Sequence, residues 1–194
     1  LHLKVFDRLH VAVSVFYRDR CRNRFFGSNS IAIATTITTT NKSQRGDPMR
    51  WLEVEEIVRF NEVDSWKIAW YGHYMAWFEV GRMALLRRFD LLPGQMTDLG
   101  FIAPVIRLKC DYKHSACCGD RILIRSTALK PEITALIFQF EILSAVDRRM
   151  LAKGETMQVL LTTGGKMIYR LEGELEKRIM GLIGYCKEEE GSRA

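Results

Sequence analysis

Apolar and charged residues mix over residues 51–61, with strand-like pieces, and the pattern then becomes helical. Tyr74, Trp77, Phe78, Gly81, Ala84 and Leu85 fall at i, i+3, i+4, i+7, i+10 and i+11. That spacing predicts a long amphipathic helix over residues 72–89, with Glu79, Arg82 and Arg87 on its other faces. Leu92-Pro93-Gly94 stops the helix. Ahead of it, Glu62-Val63-Asp64-Ser65-Trp66 reads as a turn. Strands are expected at 102–112, 121–129, 134–146 and 151–162. Cys118-Gly119-Asp120 and Asp147-Arg148-Arg149 are turn signals between them. Gly164-Gly165 leads to a short expected strand at 166–169, and a second amphipathic helix is expected over 172–186.

The order is strand, turn, long helix, then a run of antiparallel strands. It predicts an α+β domain in which one helix, about 27 Å long at 1.5 Å per residue, is wrapped by a curved antiparallel sheet of about five strands. One helix leaves the sheet edges open. Pairing of two copies edge to edge would cover one of them.

Charge divides the chain. The net charge is +6, of which +5 falls in residues 1–48 and +1 in the remainder. Basicity confined to that segment argues against a nucleic-acid-binding core. Glu is absent before Glu53, the cluster Arg18-Asp19-Arg20-Cys21-Arg22-Asn23-Arg24 is basic, and a Ser/Thr-rich run follows. Residues 1–48 are expected to be an N-terminal extension without a core. Three readings compete: a disordered arm, an Arg-rich targeting peptide, or sequence upstream of a start at Met49. The sharp composition change at Gly46-Asp47-Pro48-Met49 favours the last. Residues 49–186 form the expected domain and 187–194 a charged tail. No apolar run reaches 18 residues, so no membrane span is expected. Five cysteines, an odd number with no CxxC pair, fit a reducing, cytoplasmic setting. They suggest neither a disulfide framework nor a zinc site, and no metal is implied.

The segment from Arg59 to Glu79 carries a resemblance. Asp64, Tyr71, Tyr74, Trp77-Phe78-Glu79 and Arg82 resemble the start of the 4-hydroxybenzoyl-CoA thioesterase family and of the related Tol-Pal-associated acyl-CoA thioesterases. Tyr112-Lys113-His114-Ser115-Ala116 followed by Gly119-Asp120 resembles the family's basic turn before its next strand. The likeness covers residues 54–171. Many relatives have Gly three residues after the Asp, where this chain has Lys67, and His seven residues after it, where this chain has Tyr71. The resemblance implies a hotdog fold, acyl-CoA as substrate, a homodimer or homotetramer, and no cofactor beyond the coenzyme A of the substrate.

It also implies a chemistry. Asp64 is the expected nucleophile or general base. The backbone N–H groups of Tyr71 and Gly72, at the start of the helix, form an oxyanion site, and Gly72 lets substrate approach the backbone. His73 is a candidate acid for the departing thiolate. Tyr74, Lys113, His114 and Lys130 are candidates for holding substrate and coenzyme A phosphates, ahead of Arg148 and Arg149. Glu79 is the runner-up carboxylate, set against an ordinary ion pair with Arg82 three residues on. For Asp64 the plain alternative is a turn or cap acid. Two other readings keep the fold and change the function: a non-catalytic acyl-CoA-binding module, and a hydratase or dehydratase.

Overall fold

The computed structural model describes residues 37–41, 49–129 and 135–187. Most of the expected extension, the tail beyond Lys187, and Lys130 lie outside the described residues. In chain order the elements are β1 (Ile37–Asn41), β2 (Arg50–Ile57), a short 3-10 turn (Phe60–Glu62), α1 (His73–Arg87), α2 (Pro93–Asp98), β3 (Phe101–Ile102), β4 (Val105–Tyr112), β5 (Arg121–Leu129), β6 (Ala135–Ser144), β7 (Met150–Val159), β8 (Leu161–Thr162) and α3 (Gly173–Cys186). Six strands form one sheet in the order β1-β2-β5-β6-β7-β4, and β3 pairs with β8 in a small ribbon. Neighbours in the large sheet are antiparallel throughout. The α+β architecture of a long helix against an antiparallel sheet is the one the pattern predicts.

The differences have local causes. The expected strand at 102–112 is broken into β3 and β4 by Pro104, which has no N–H for a ladder. Pro93 does not simply end a helix: it occupies the first turn of α2, where a missing N–H costs nothing. The expected strand at 166–169 reduces to one bridge between Met167 and Leu161. Residues 163–165 instead turn tightly, with the Gly165 N–H donating to the Thr162 carbonyl at 2.8 Å. Ile37–Asn41, inside the segment expected to lack a core, adds β1 alongside β2. Among the described residues Cys110, Cys118 and Cys186 are free thiols. No described helix is long and apolar enough to cross a membrane.

The core lies between α1 and the sheet. The Phe78 ring stacks on Phe140 of β6 at 4.7 Å between centroids. Two glycines allow this closeness. A Cβ at Gly154 of β7 would stand 2.3 Å from the Phe78 ring and 2.7 Å from the Lys109 carbonyl, and one at Gly81 would stand 2.8 Å from Ile124. Ser126 of β5 donates its hydroxyl to the Gly81 carbonyl at 2.9 Å, tying helix to sheet at that point. At the other end of α1, Tyr74 is buried with its ring 4.8 Å from Trp77 and 5.1 Å from Tyr112 of β4. Burial pushes the Tyr74 phenol up to about 12. Burial, with a hydrogen bond to Cys110, does the same for Tyr112. α3 covers one end of the core with Leu175, Ile179, Leu182, Ile183 and Cys186.

Two outcomes are expected. Gly154→Ala overpacks the helix–sheet contact and should lower unfolding free energy by about 1–3 kcal/mol, read by urea titration. Tyr74 is protonated more tightly in the fold than in the unfolded chain. Its contribution is therefore complete below about pH 10 and is lost as pH rises towards 12. On the order of 2 kcal/mol should disappear over that window. Tyr74→Phe should remove that share of the loss and leave only the part due to Tyr112, with denaturation followed at each pH.

Candidate active site

Asp64 lies in a tight hairpin in which Val63 bridges to Ala69. The Asp64 N–H donates to the Ile68 carbonyl, and the Lys67 N–H to the Asp64 carbonyl, both at 2.9 Å. Lys67 closes the turn with φ of 63°, left-handed backbone that costs an L-residue about 1 kcal/mol or more and glycine almost nothing. This is the place where the resembling family carries glycine. The Asp64 side chain folds back on the turn, its Oδ1 accepting the Trp66 N–H at 2.8 Å. Its other carboxylate oxygen accepts no hydrogen bond from the described residues.

The hairpin is fastened on both sides. Ile68 bridges to Cys117, and the Ala69 N–H donates to the Ala116 carbonyl at 2.8 Å. The Trp70 N–H donates to the Glu62 carbonyl at 2.8 Å. Glu62 is a residue that sequence reasoning passed over. Its buried carboxylate accepts the Arg59 N–H at 2.7 Å and the Trp77 indole N–H at 3.4 Å. A carboxylate with both oxygens bonded inside the protein fixes the entry of the hairpin against α1.

From Trp70 the chain enters α1. The His73 N–H donates to the Trp70 carbonyl at 2.9 Å and the Met75 N–H to the Gly72 carbonyl at 3.1 Å. The N–H groups of Tyr71 and Gly72 donate to no acceptor among the described residues. The Tyr112 hydroxyl donates to the Tyr71 carbonyl at 3.0 Å. In a trans peptide the C=O and N–H are antiparallel, so this bond also sets the direction of the Gly72 N–H. Tyr112 was not among the expected site residues. Its only signal in the sequence is its place at the end of a strand beside Lys113 and His114.

Other expected residues take varied positions. Tyr71 is exposed, and His73 is half-buried with its ring 5.7 Å from that of Trp70. The space over Gly72 is filled by the Trp70 ring, which lies 2.0 Å from where a Cβ would stand. Tyr74 belongs to the core. Lys113 is exposed and bonded through its backbone to Leu151. His114 sets Nδ1 2.8 Å from the Met150 carbonyl. Arg148 is engaged with Glu53 at 2.7 Å. Glu79 is half-exposed and paired with Arg82. Asp64, Tyr71, Gly72 and His73 thus occupy one continuous hairpin-to-helix segment. Glu79 stands on α1, and Lys113 and His114 stand after β4.

Residues 58–179 match the family described as the thioesterase-like superfamily. A 1,4-dihydroxy-2-naphthoyl-CoA hydrolase of Synechococcus sp. strain CC9605 is 30% identical over 88 residues, 42% of this chain and 57% of that protein. Two further curated relatives are matched over 50% and 81% of their own lengths. The crystal structure of Slr0204, a 1,4-dihydroxy-2-naphthoyl-CoA thioesterase from Synechocystis, superposes with a TM-score of 0.61 at 20% identity, covering 68% of this chain and 97% of that one. A DHNA-CoA thioesterase from Staphylococcus aureus gives 0.62 at 20% identity, covering 69% and 91%. At such identity the structural likeness establishes the fold, while the family match spans the hairpin, α1, α2, strands β3 to β8 and the first half of α3. The chain belongs to the thioesterase-like superfamily and has its hotdog fold.

Proposed function

We propose that this chain hydrolyses an acyl-CoA thioester to a carboxylic acid and free coenzyme A, with Asp64 as nucleophile or general base. The observation that carries the reading is the pair of unbonded N–H groups at Tyr71 and Gly72. They sit at the positive end of the α1 dipole, on the segment that begins with a carboxylate keeping one oxygen free. Such donors, fixed before the reaction begins, stabilise the oxyanion of a tetrahedral intermediate. Asp64 either deprotonates the water that adds to the thioester carbon, or adds itself and forms a mixed anhydride that water then hydrolyses to the acid and free Asp64. In both routes the C–S bond breaks and the departing thiolate takes a proton. His73, at the first turn of α1, is the proposed source of that proton. Lys113 and His114, after β4, are proposed for the phosphates of coenzyme A, while Tyr74, buried in the core, is not part of the proposed site.

The assembly in this reading is a homodimer. β4 is the last strand of the sheet, with Val105, Ile106 and Leu108 exposed on it. An apolar edge with an unpaired backbone is suited to pairing with a second copy.

Two measurements test the proposal. Asp64→Asn should lower kcat for release of free thiol from acyl-CoA by about a hundredfold or more, while Glu79→Gln changes it little. The reverse pattern would transfer the catalytic role to Glu79. Tight acyl-CoA binding without thiol release would favour a binding module. The native mass should be that of a dimer, and Ile106→Asp with Leu108→Asp should shift it to a monomer in sedimentation experiments.

A further inference from the structure

A cavity of about 110 Å³ lies between the C-terminal half of α1, α2, and the strands that carry Leu136 and Gln158. Its walls are mostly apolar, among them Leu86, Leu91, Met96 and Leu136. Two lining residues are different. Arg82 is only 9% exposed and Gln158 only 5%. Arg82 Nη2 is held by Glu79, but its Nε and Nη1 are buried and find no hydrogen-bond partner among the described residues. Gln158 donates its amide N–H to the Ala103 carbonyl, but its Oε1 is buried and finds no hydrogen-bond partner among the described residues. The rim, at Pro93, Thr97 and Ile102, is exposed.

Buried polar groups in folded proteins are bonded, and unbonded ones call for an occupant. The demand here is two-sided, because the guanidinium needs an acceptor and the glutamine oxygen needs a donor. A carboxylate meets the first and sets a second acceptor against Gln158. An ammonium group meets the second and repels Arg82. A hydroxyl accepts and donates at once. Glu79 already neutralises Arg82, so the ligand needs no charge. Size sets the remaining limit. An apolar cavity of ~150 Å³ holds a benzene ring, so this one, open at its rim, takes a group of about that size or slightly smaller.

We infer that the Arg82–Gln158 cavity binds a small, neutral, hydroxyl-bearing apolar group, with the hydroxyl bridging the Arg82 guanidinium and Gln158 Oε1. This inference does not depend on thioester hydrolysis, and it is read by binding rather than turnover.

Titration calorimetry of the full chain with phenol and with toluene, which differ in the hydroxyl and little in size, tests it. Phenol should bind at least about tenfold more tightly than toluene, the factor expected for hydrogen bonds of which one is to a charged donor. Gln158→Leu should erase that preference, and Arg82→Lys should reduce it. Equal binding of the two ligands, no binding of phenol (a cavity that holds water only), or a preference unchanged in folded Gln158→Leu would each overturn the inference. The wild-type comparison decides the matter even where a variant does not fold.

Discussion

The rest of the structure depends on how closely α1 lies against the sheet. Gly81 on the helix and Gly154 on β7 remove the two β-carbons that would hold the layers apart. Phe78 fills the space so opened and stacks on Phe140. Interior packing is dense enough that a methyl group out of place is felt by its neighbours. The seat of the helix is therefore set within a fraction of an ångström, and whatever its first turn presents is set with it. The hairpin before α1 takes its position from the same seat, because Glu62 bonds the Trp77 indole on the helix and returns a carbonyl to Trp70.

Much of this was readable in the sequence. The 3.6-residue period from Tyr74 to Leu85 marks α1 and most of its buried face, although Arg82, expected on another face, is buried, and turn signals bound the long strands. Local chemistry with two outcomes was harder to read. Pro93 reads as a helix stop but starts α2, α1 having ended at Arg87, and Pro104 divides an apparently continuous strand. The hairpin was legible as a turn containing an acid, but the left-handed conformation of Lys67 was not. Nothing in a lysine announces positive φ, and only the glycine of the resembling family at that position hinted at it.

The site residues divide in the same way. Asp64, Tyr71, Gly72 and His73 are near in sequence, so a motif brings them together on the page. Glu62 and Tyr112 act through contacts with residues distant in the chain. Tyr112 is 41 residues from the carbonyl it holds, and no period or spacing reveals such a pairing. The Arg82–Gln158 cavity is of the same kind. Arg82 stood in the sequence as a partner for Glu79, and the structure bears this out for one of its nitrogens. The remaining nitrogens became conspicuous only once α2 and β7 had closed around them.

The break at Pro104 has a consequence for how the chain can associate. A long, flat, apolar strand at a sheet margin is a template on which further chains can stack without limit. Here the margin offers eight residues, Val105 to Tyr112, and is irregular between Val105 and Arg107. Upstream of it stands an imino acid that cannot donate. A second chain aligning there finds a short ladder with a defined beginning, which favours a finite, closed assembly over a growing fibre.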